Sequence, residues 1–147
     1  MLEQRLEDEL KQAMLAGDAF KVSVLRGMKS VLLNKKVADG TREMAMSNDD
    51  VVTLLSKESK KRQESADLYT TGGRPELAEK ELAEKAIIDS YLPERLSEDA
   101  IRELVDQAVT SLEDVNMGQI IGQVKIKAGA GADGAVIARL VRERLGA

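Results

Sequence analysis

Apolar residues recur along this chain at spacings of three and four, the period of helices lying against a core. Leu2, Leu6, Leu10 and Met14 form a stripe that ends at Gly17, a residue suited to the position just past a helix. Asp18 can cap a second helix, whose broad apolar face carries Phe20, Val24, Leu25, Met28, Val31 and Leu32. Asp39-Gly40 interrupts the chain, and residues 41–46 have no period and read as loop. Ser47-Asn48-Asp49-Asp50 before Val51 fits a capping box, with Asp50 reaching back to the Ser47 amide. A long helix then runs to about Tyr69 and stops at Gly72-Gly73.

Pro75 suits the first turn of a fourth helix, where its missing amide hydrogen is no loss. This helix holds a tandem repeat, Glu76-Leu77-Ala78-Glu79-Lys80 then Glu81-Leu82-Ala83-Glu84-Lys85. Its strong helix formers and the pairs Glu76–Lys80 and Glu81–Lys85 read as a solvated face. Tyr91-Leu92-Pro93 ends it, because a residue before proline avoids the helical region. Ser97 caps a fifth helix with Ile101, Leu104, Val105, Ala108, Val109 and Leu112 inward. A short sixth helix spans about Met117 to Lys127, and its Gly118-xxx-Gly122 spacing predicts close packing by another helix. Gly129-Ala130-Gly131-Ala132 reads as a flexible joint, and Asp133 caps a last helix with Val136, Ile137, Leu140, Val141 and Leu145 inward. The pattern predicts an all-α chain: an N-terminal four-helix domain (1–93) and a small C-terminal three-helix domain (94–147). A three-helix domain of that size is only marginally stable alone.

Composition narrows the chemistry. The 147 residues contain no Cys and no His, which excludes disulfides, thiolate nucleophiles and imidazole bases or ligands. There is no Trp, and the aromatics are Phe20, Tyr69 and Tyr91, too few for a stacking platform. Catalysis would have to rest on carboxylates, Lys, Tyr or hydroxyls, so the expectation is no enzyme in its own right, no catalytic residue, no metal and no cofactor. Net charge is −4, and each side of Pro93 holds two more acids than bases. Bulk electrostatics therefore disfavour indiscriminate nucleic-acid binding, while a local basic patch stays open. No apolar run is long enough to span a membrane, and the acidic amphipathic N-terminus is no secretory or transit signal. The expected location is cytoplasmic.

Three clusters carry candidate chemistry. Glu81 and Glu84, three apart on a half-buried helix face, could serve as paired carboxylates. With no His and no second acidic helix, ion pairing with Lys60 and Arg62 is the favoured reading, a structural lock. The run Lys57, Lys60, Lys61 and Arg62 is interspersed with Glu58, Glu64 and Asp67, the pattern of a solvated face. Lys125, Lys127, Arg139, Arg142 and Arg144 flank the Gly/Ala joint beside the amino end of the last helix. Free amide groups there favour an anion, so this set could grip a nucleic-acid backbone, against the alternative of ordinary surface charge.

Lys60-x-Arg62-x-Glu64-Ser65, Tyr69, Gly73-Arg74, Leu77, Glu81, Glu84 and Tyr91-Leu92-Pro93 with Leu96-Ser97 resemble the YqeY-like family. Val24-x-Arg26-x-x-Lys29, Asn34, Met117-Gly118, Gly122, Ala132-Asp133-Gly134 and Leu140-Val141-Arg142 extend the likeness nearly end to end. That family is similar to the tail of the B subunit of the aspartyl/glutamyl-tRNA amidotransferase. The resemblance implies an all-α protein linked to tRNA, and the basic set read above from the sequence, Lys125, Lys127, Arg139 and Arg142, is the candidate to hold it through backbone and shape. It also implies, as alternative partners, amidotransferase subunits or other translation proteins met through an adaptor surface. The family label of carbon–nitrogen ligase activity with glutamine as amido donor then belongs to the larger enzyme, whose catalytic domains have no counterpart here. Three positions depart from the family pattern: Gly131 stands for a basic residue, Ile126 for a proline, and Gly27 for a larger residue.

Overall fold

The computed structural model describes residues 1–113 and 116–146, and among these the chain is all-α, with seven α-helices and no strand. They are α1 (Leu2–Ala16), α2 (Ala19–Ala38), α3 (Asn48–Thr71), α4 (Pro75–Asp89), α5 (Glu98–Ser111), α6 (Met117–Ala128) and α7 (Gly134–Leu145). A short 3-10 turn, Gly129–Gly131, precedes α7. The chain divides into two compact units, Met1–Leu92 and Pro93–Ala147.

In the first unit α1 lies on α2 and α3 pairs lengthwise with α4. Leu6, Leu10, Leu25, Met28, Leu32, Val51, Leu55 and Ile88 meet in one core. The stripe of α1 closes on Ala13, which is 4% exposed, while Met14 is 52% exposed. A period of 3.6 residues turns Met14 past the core edge, so the expected fourth stripe residue is displaced by its neighbour. Phe20, in the first turn of α2, is also 39% exposed rather than packed on the inward face. Gly17 takes φ +70°, the left-handed conformation that lets its amide close the carbonyls of α1. Asp18 then accepts from the Lys21 amide at 3.1 Å to start α2.

Capping explains the starts of α3, α5, α6 and α7. Ser47 accepts from the Asp50 amide at 3.2 Å, Ser97 from Ala100 at 3.1 Å, Asn116 from Gly118 at 2.8 Å and Asp133 from Ala135 at 2.9 Å. The reciprocal Asp50-to-Ser47 bond of a full capping box is absent among the described residues. α3 runs two residues beyond Tyr69, to Thr71. The repeat on α4 does not form its own Glu-to-Lys pairs among the described residues. Lys85 reaches Asp89 at 2.6 Å, and Glu81 turns across to α3. Asp89 also accepts from the buried Ser59 hydroxyl, tying α4 to α3.

In the second unit Ile101, Val105, Ala108, Ile120, Val124, Ile137, Leu140 and Val141 form a separate core of α5, α6 and α7. Two sequence expectations are corrected here. Among the described residues no other helix closes on Gly118 or Gly122: a Cβ at Gly122 would meet nothing within 4 Å, and one at Gly118 only the side chain of Asn116. The Gly/Ala stretch is not a loose joint. The Leu96 amide donates to the Gly131 carbonyl at 2.8 Å, and Gly131 is buried so closely that a Cβ there would sit 3.1 Å from Leu96 Cγ.

Candidate nucleic-acid interface

The basic residues of the second unit begin at the carboxyl end of α6. Lys125 and Lys127 occupy its last turn, where carbonyls and the helix dipole favour cations. Both are exposed, as is Ile126 between them at 84%. After the 3-10 turn the chain re-enters a helix at Asp133, which brings the amino end of α7 back beside Lys125. A Cβ at Gly134 would lie 3.3 Å from Cε and 3.4 Å from Nζ of Lys125. The ammonium thus rests against the first turn of α7, whose amides carry positive character of their own. Asp133 is the acid closest in sequence, and its side chain is engaged as the α7 cap.

The arginines of α7 divide into two kinds. Arg139 is bonded to Glu98 on α5 and to Glu143 one turn on, at 3.1 Å. Those hydrogen bonds, donated to Glu143 first and then to Glu98, hold its guanidinium above the ordinary arginine value. Arg144 pairs with Asp106 at 2.8 Å. Arg102 on α5 completes this network, reaching Asp99 at 3.1 Å, Glu98 at 3.5 Å and Glu143 at 3.9 Å. Arg142, by contrast, is exposed and among the described residues bonds the Ala138 carbonyl alone, at 3.3 Å through Nε. Among the described residues neither Arg142, Lys125 nor Lys127 has a carboxylate within 4.0 Å. Lys125 and the α7 start are therefore brought together, and Arg139 is drawn to α5 instead. Gly131 faces Leu96 and the Glu94 carbonyl, leaving no room for a long side chain without displacement.

In the first unit Arg62 on α3 spans two acids of α4. Its Nη1 lies 3.5 Å from Glu81 and its Nε 3.4 Å from Glu84, while Lys60 is exposed and meets neither among the described residues. The Nε is buried without a well-aligned hydrogen bond. A cleft of about 170 Å³ adjoins this pair, lined by Gly27, Glu58, Arg62 and Glu84 among others. Charge compensation there is a helix-to-helix contact. Among the described residues no three Asp or Glu side chains are placed to hold a metal ion, and no helix is long and apolar enough to cross a membrane.

One buried polar group was not visible in the spacing. Tyr91, 3% exposed, donates its hydroxyl to Glu9 of α1, and Arg5 lies over its ring at 4.4 Å while donating to Glu9 at 3.0 Å. Burial raises the phenol, and Glu9 raises it further. For Glu9 burial opposes ionisation, but the bonds from Tyr91 and Arg5 outweigh it and lower the carboxyl. The Arg5–Glu9 spacing of four was the one available signal; its long-range partner was not.

Comparison with known proteins gives a consistent family. The model of the Yqey-like protein family matches residues 3–145. A protein of Pyrenophora tritici-repentis named altered inheritance of mitochondria protein 41, mitochondrial, is 25% identical over 97% of this chain and 80% of its own length. Proteins of the same name from Eremothecium gossypii and Saccharomyces cerevisiae are 31% and 28% identical. Those matches cover 59% and 84% of this chain, and only 46% and 60% of the respective relatives. These names overturn the cytoplasmic location expected from composition. Charge and hydropathy of a folded domain carry no address; targeting does.

Proposed function

Given that the chain belongs to the Yqey-like protein family, we propose that it is a non-catalytic accessory module that binds tRNA through backbone and shape. In this reading it is organised as an N-terminal four-helix domain and a C-terminal three-helix domain, related to the tail of the tRNA-dependent amidotransferase B subunit. The observation that carries the proposal is the division of the cations in the second unit. Arg102, Arg139 and Arg144 are paired with acids, whereas among the described residues Lys125, Lys127 and Arg142, like Arg95 before α5, have no carboxylate within 4.0 Å. Lys125 beside the amino end of α7 supplies a charge and free amides for one phosphate group. With so few aromatics, base stacking contributes nothing, so recognition rests on phosphate and shape.

The test is a titration of labelled tRNA at two or more salt concentrations. Each phosphate contact contributes roughly 0.7 to 0.9 to the slope of log K against log salt. Replacing Lys125, Lys127 and Arg142 by Ala should therefore flatten that slope by roughly 2 to 3. Arg139→Ala should leave the slope unchanged, because that guanidinium is already paired. Absence of binding at low salt, or a triple variant with the original slope, refutes the proposal and favours a protein adaptor.

A further inference from the structure

The cleft of about 170 Å³ between α2, α3 and α4 is walled by groups whose bonding capacity the chain does not exhaust. One wall is apolar, made by Val24, Met28 and Val31 of α2. The other presents Glu58 and Arg62 of α3 and Glu84 of α4. Glu58 and Glu84 are only 15% and 20% exposed at their side chains. Among the described residues Glu58 is met by the exposed Lys61 alone, at 3.2 Å, and Glu84 by Arg62 alone. The Arg62 contacts, at 3.4 and 3.5 Å, are longer than the roughly 2.7 to 2.9 Å of a full charge-assisted bond, and its buried Nε makes no aligned bond. Buried polar groups ordinarily find partners. A glycine supplies the second observation. Gly27 lines the same cleft in the middle of α2, where glycine weakens a helix relative to alanine. Packing does not require it, since a Cβ there would meet nothing within 4 Å, and its backbone is not left-handed. What the missing side chain does is keep the α2 wall open.

We infer that this cleft binds a small free aliphatic α-amino acid. Its ammonium meets Glu58 and Glu84, its carboxylate takes the unspent Nε–H of Arg62, and its side chain lies on Val24, Met28 and Val31. The volume equals about five or six waters at roughly 30 Å³ each, so the ligand is small. A bare anion would face two carboxylates, and a bare cation would leave the Arg62 Nε without an acceptor. A zwitterion answers both, because its two charges sit on adjacent bonds. The site shares no residue with Lys125, Lys127 or Arg142, so it stands apart from the RNA reading.

The experiment titrates L-valine and L-leucine into the isotope-labelled full chain and follows amide and methyl shifts. Dissociation constants on the order of 1 mM suit ligands of this size. Saturable shifts should centre on Gly27, Met28 and Val31. D-valine, isobutylamine (valine without its carboxylate) and isovalerate (valine without its ammonium) should each bind at least about tenfold more weakly, having lost a charge-assisted bond. Arg62→Lys keeps the charge between Glu81 and Glu84 but not the planar fork, and should also weaken L-valine at least about tenfold. Gly27→Ala should raise the urea midpoint while weakening L-valine by about tenfold, a split that a purely structural glycine would not give. No localised shift with either L-amino acid, equal response to L- and D-valine, an amine or acid that binds as well as valine, or a Gly27→Ala variant with unchanged affinity would each overturn the assignment. None of these outcomes bears on the tRNA titration.

Discussion

Replacing Tyr91 by Phe removes one hydroxyl and leaves the ring packing in place. That hydroxyl donates to Glu9, which also takes Arg5 at 3.0 Å. A hydrogen bond to a charged acceptor is worth roughly 1.5 to 3 kcal/mol. Glu9 is 26% exposed at its side chain and keeps Arg5, so the lower part of the range applies, about 1.5 to 2 kcal/mol. Glu9→Gln should cost a similar amount, and the double variant should show coupling of at least about 1 kcal/mol. The pH dependence has two limbs of opposite origin. Glu9 is lowered in the folded state, so its contribution is complete above the unfolded carboxyl value and is lost as pH falls through the folded one. Tyr91 is raised from 10.0, so its contribution is complete below that value and is lost as pH rises through the folded one. Urea unfolding from acid to alkaline pH, followed by circular dichroism and by amide signals of α1, measures both. Tyr91→Phe should lower the plateau, soften the acid limb and remove the alkaline contribution of this phenol. A coupling below about 0.3 kcal/mol, the usual error of additivity, would refute the lock.

Two glycines should respond in opposite directions to the same substitution. Gly27→Ala adds a methyl where nothing lies within 4 Å, in the middle of α2, and should stabilise the first unit by about 0.5 to 1 kcal/mol in urea unfolding. Gly131→Ala drives a Cβ to 3.1 Å from Leu96 and 3.3 Å from the Glu94 carbonyl, and should destabilise the second unit by about 1 to 3 kcal/mol, read from the exchange protection of the Leu96 amide.

The helices were legible because their information is local. Caps at Asp18, Ser47, Ser97 and Asp133 each bond two or three residues ahead, and the stripes of α5 and α7 place Val105, Leu140 and Val141 inward as the period requires. What stayed hidden depends on which helix lies across from which. Glu81 satisfies its sequence spacing with Lys85 but finds Arg62 on α3 closer to hand, and Lys85 then falls to Asp89. Gly118 and Gly122 have the spacing of a close helix crossing, yet the approach is made at Gly131, by an extended segment rather than a helix. Tyr91 and Glu9 are 82 residues apart, a separation no periodicity reports.

The candidate interface shows the same division at the level of charge. Net charge counts Arg139 and Lys125 alike, and on that count the second unit is acidic and unsuited to a polyanion. The pairing pattern separates them. Glu98, Asp99, Asp106 and Glu143 are committed to arginines on α5 and α7, so much of the acidic excess is spent within the unit. Of the cations left over, Lys125 and Lys127 lie at the end of α6, with Lys125 beside the start of α7, which adds positive character of its own, while Arg142 lies in the last turn of α7 and Arg95 precedes α5. An exposed ion pair contributes little to stability, up to about 1 kcal/mol. Its larger consequence here is to mask three arginines and leave only a few cations without an acid among the described residues, so that the proposed RNA contact would be weak and salt-sensitive rather than that of a basic surface that grips any nucleic acid.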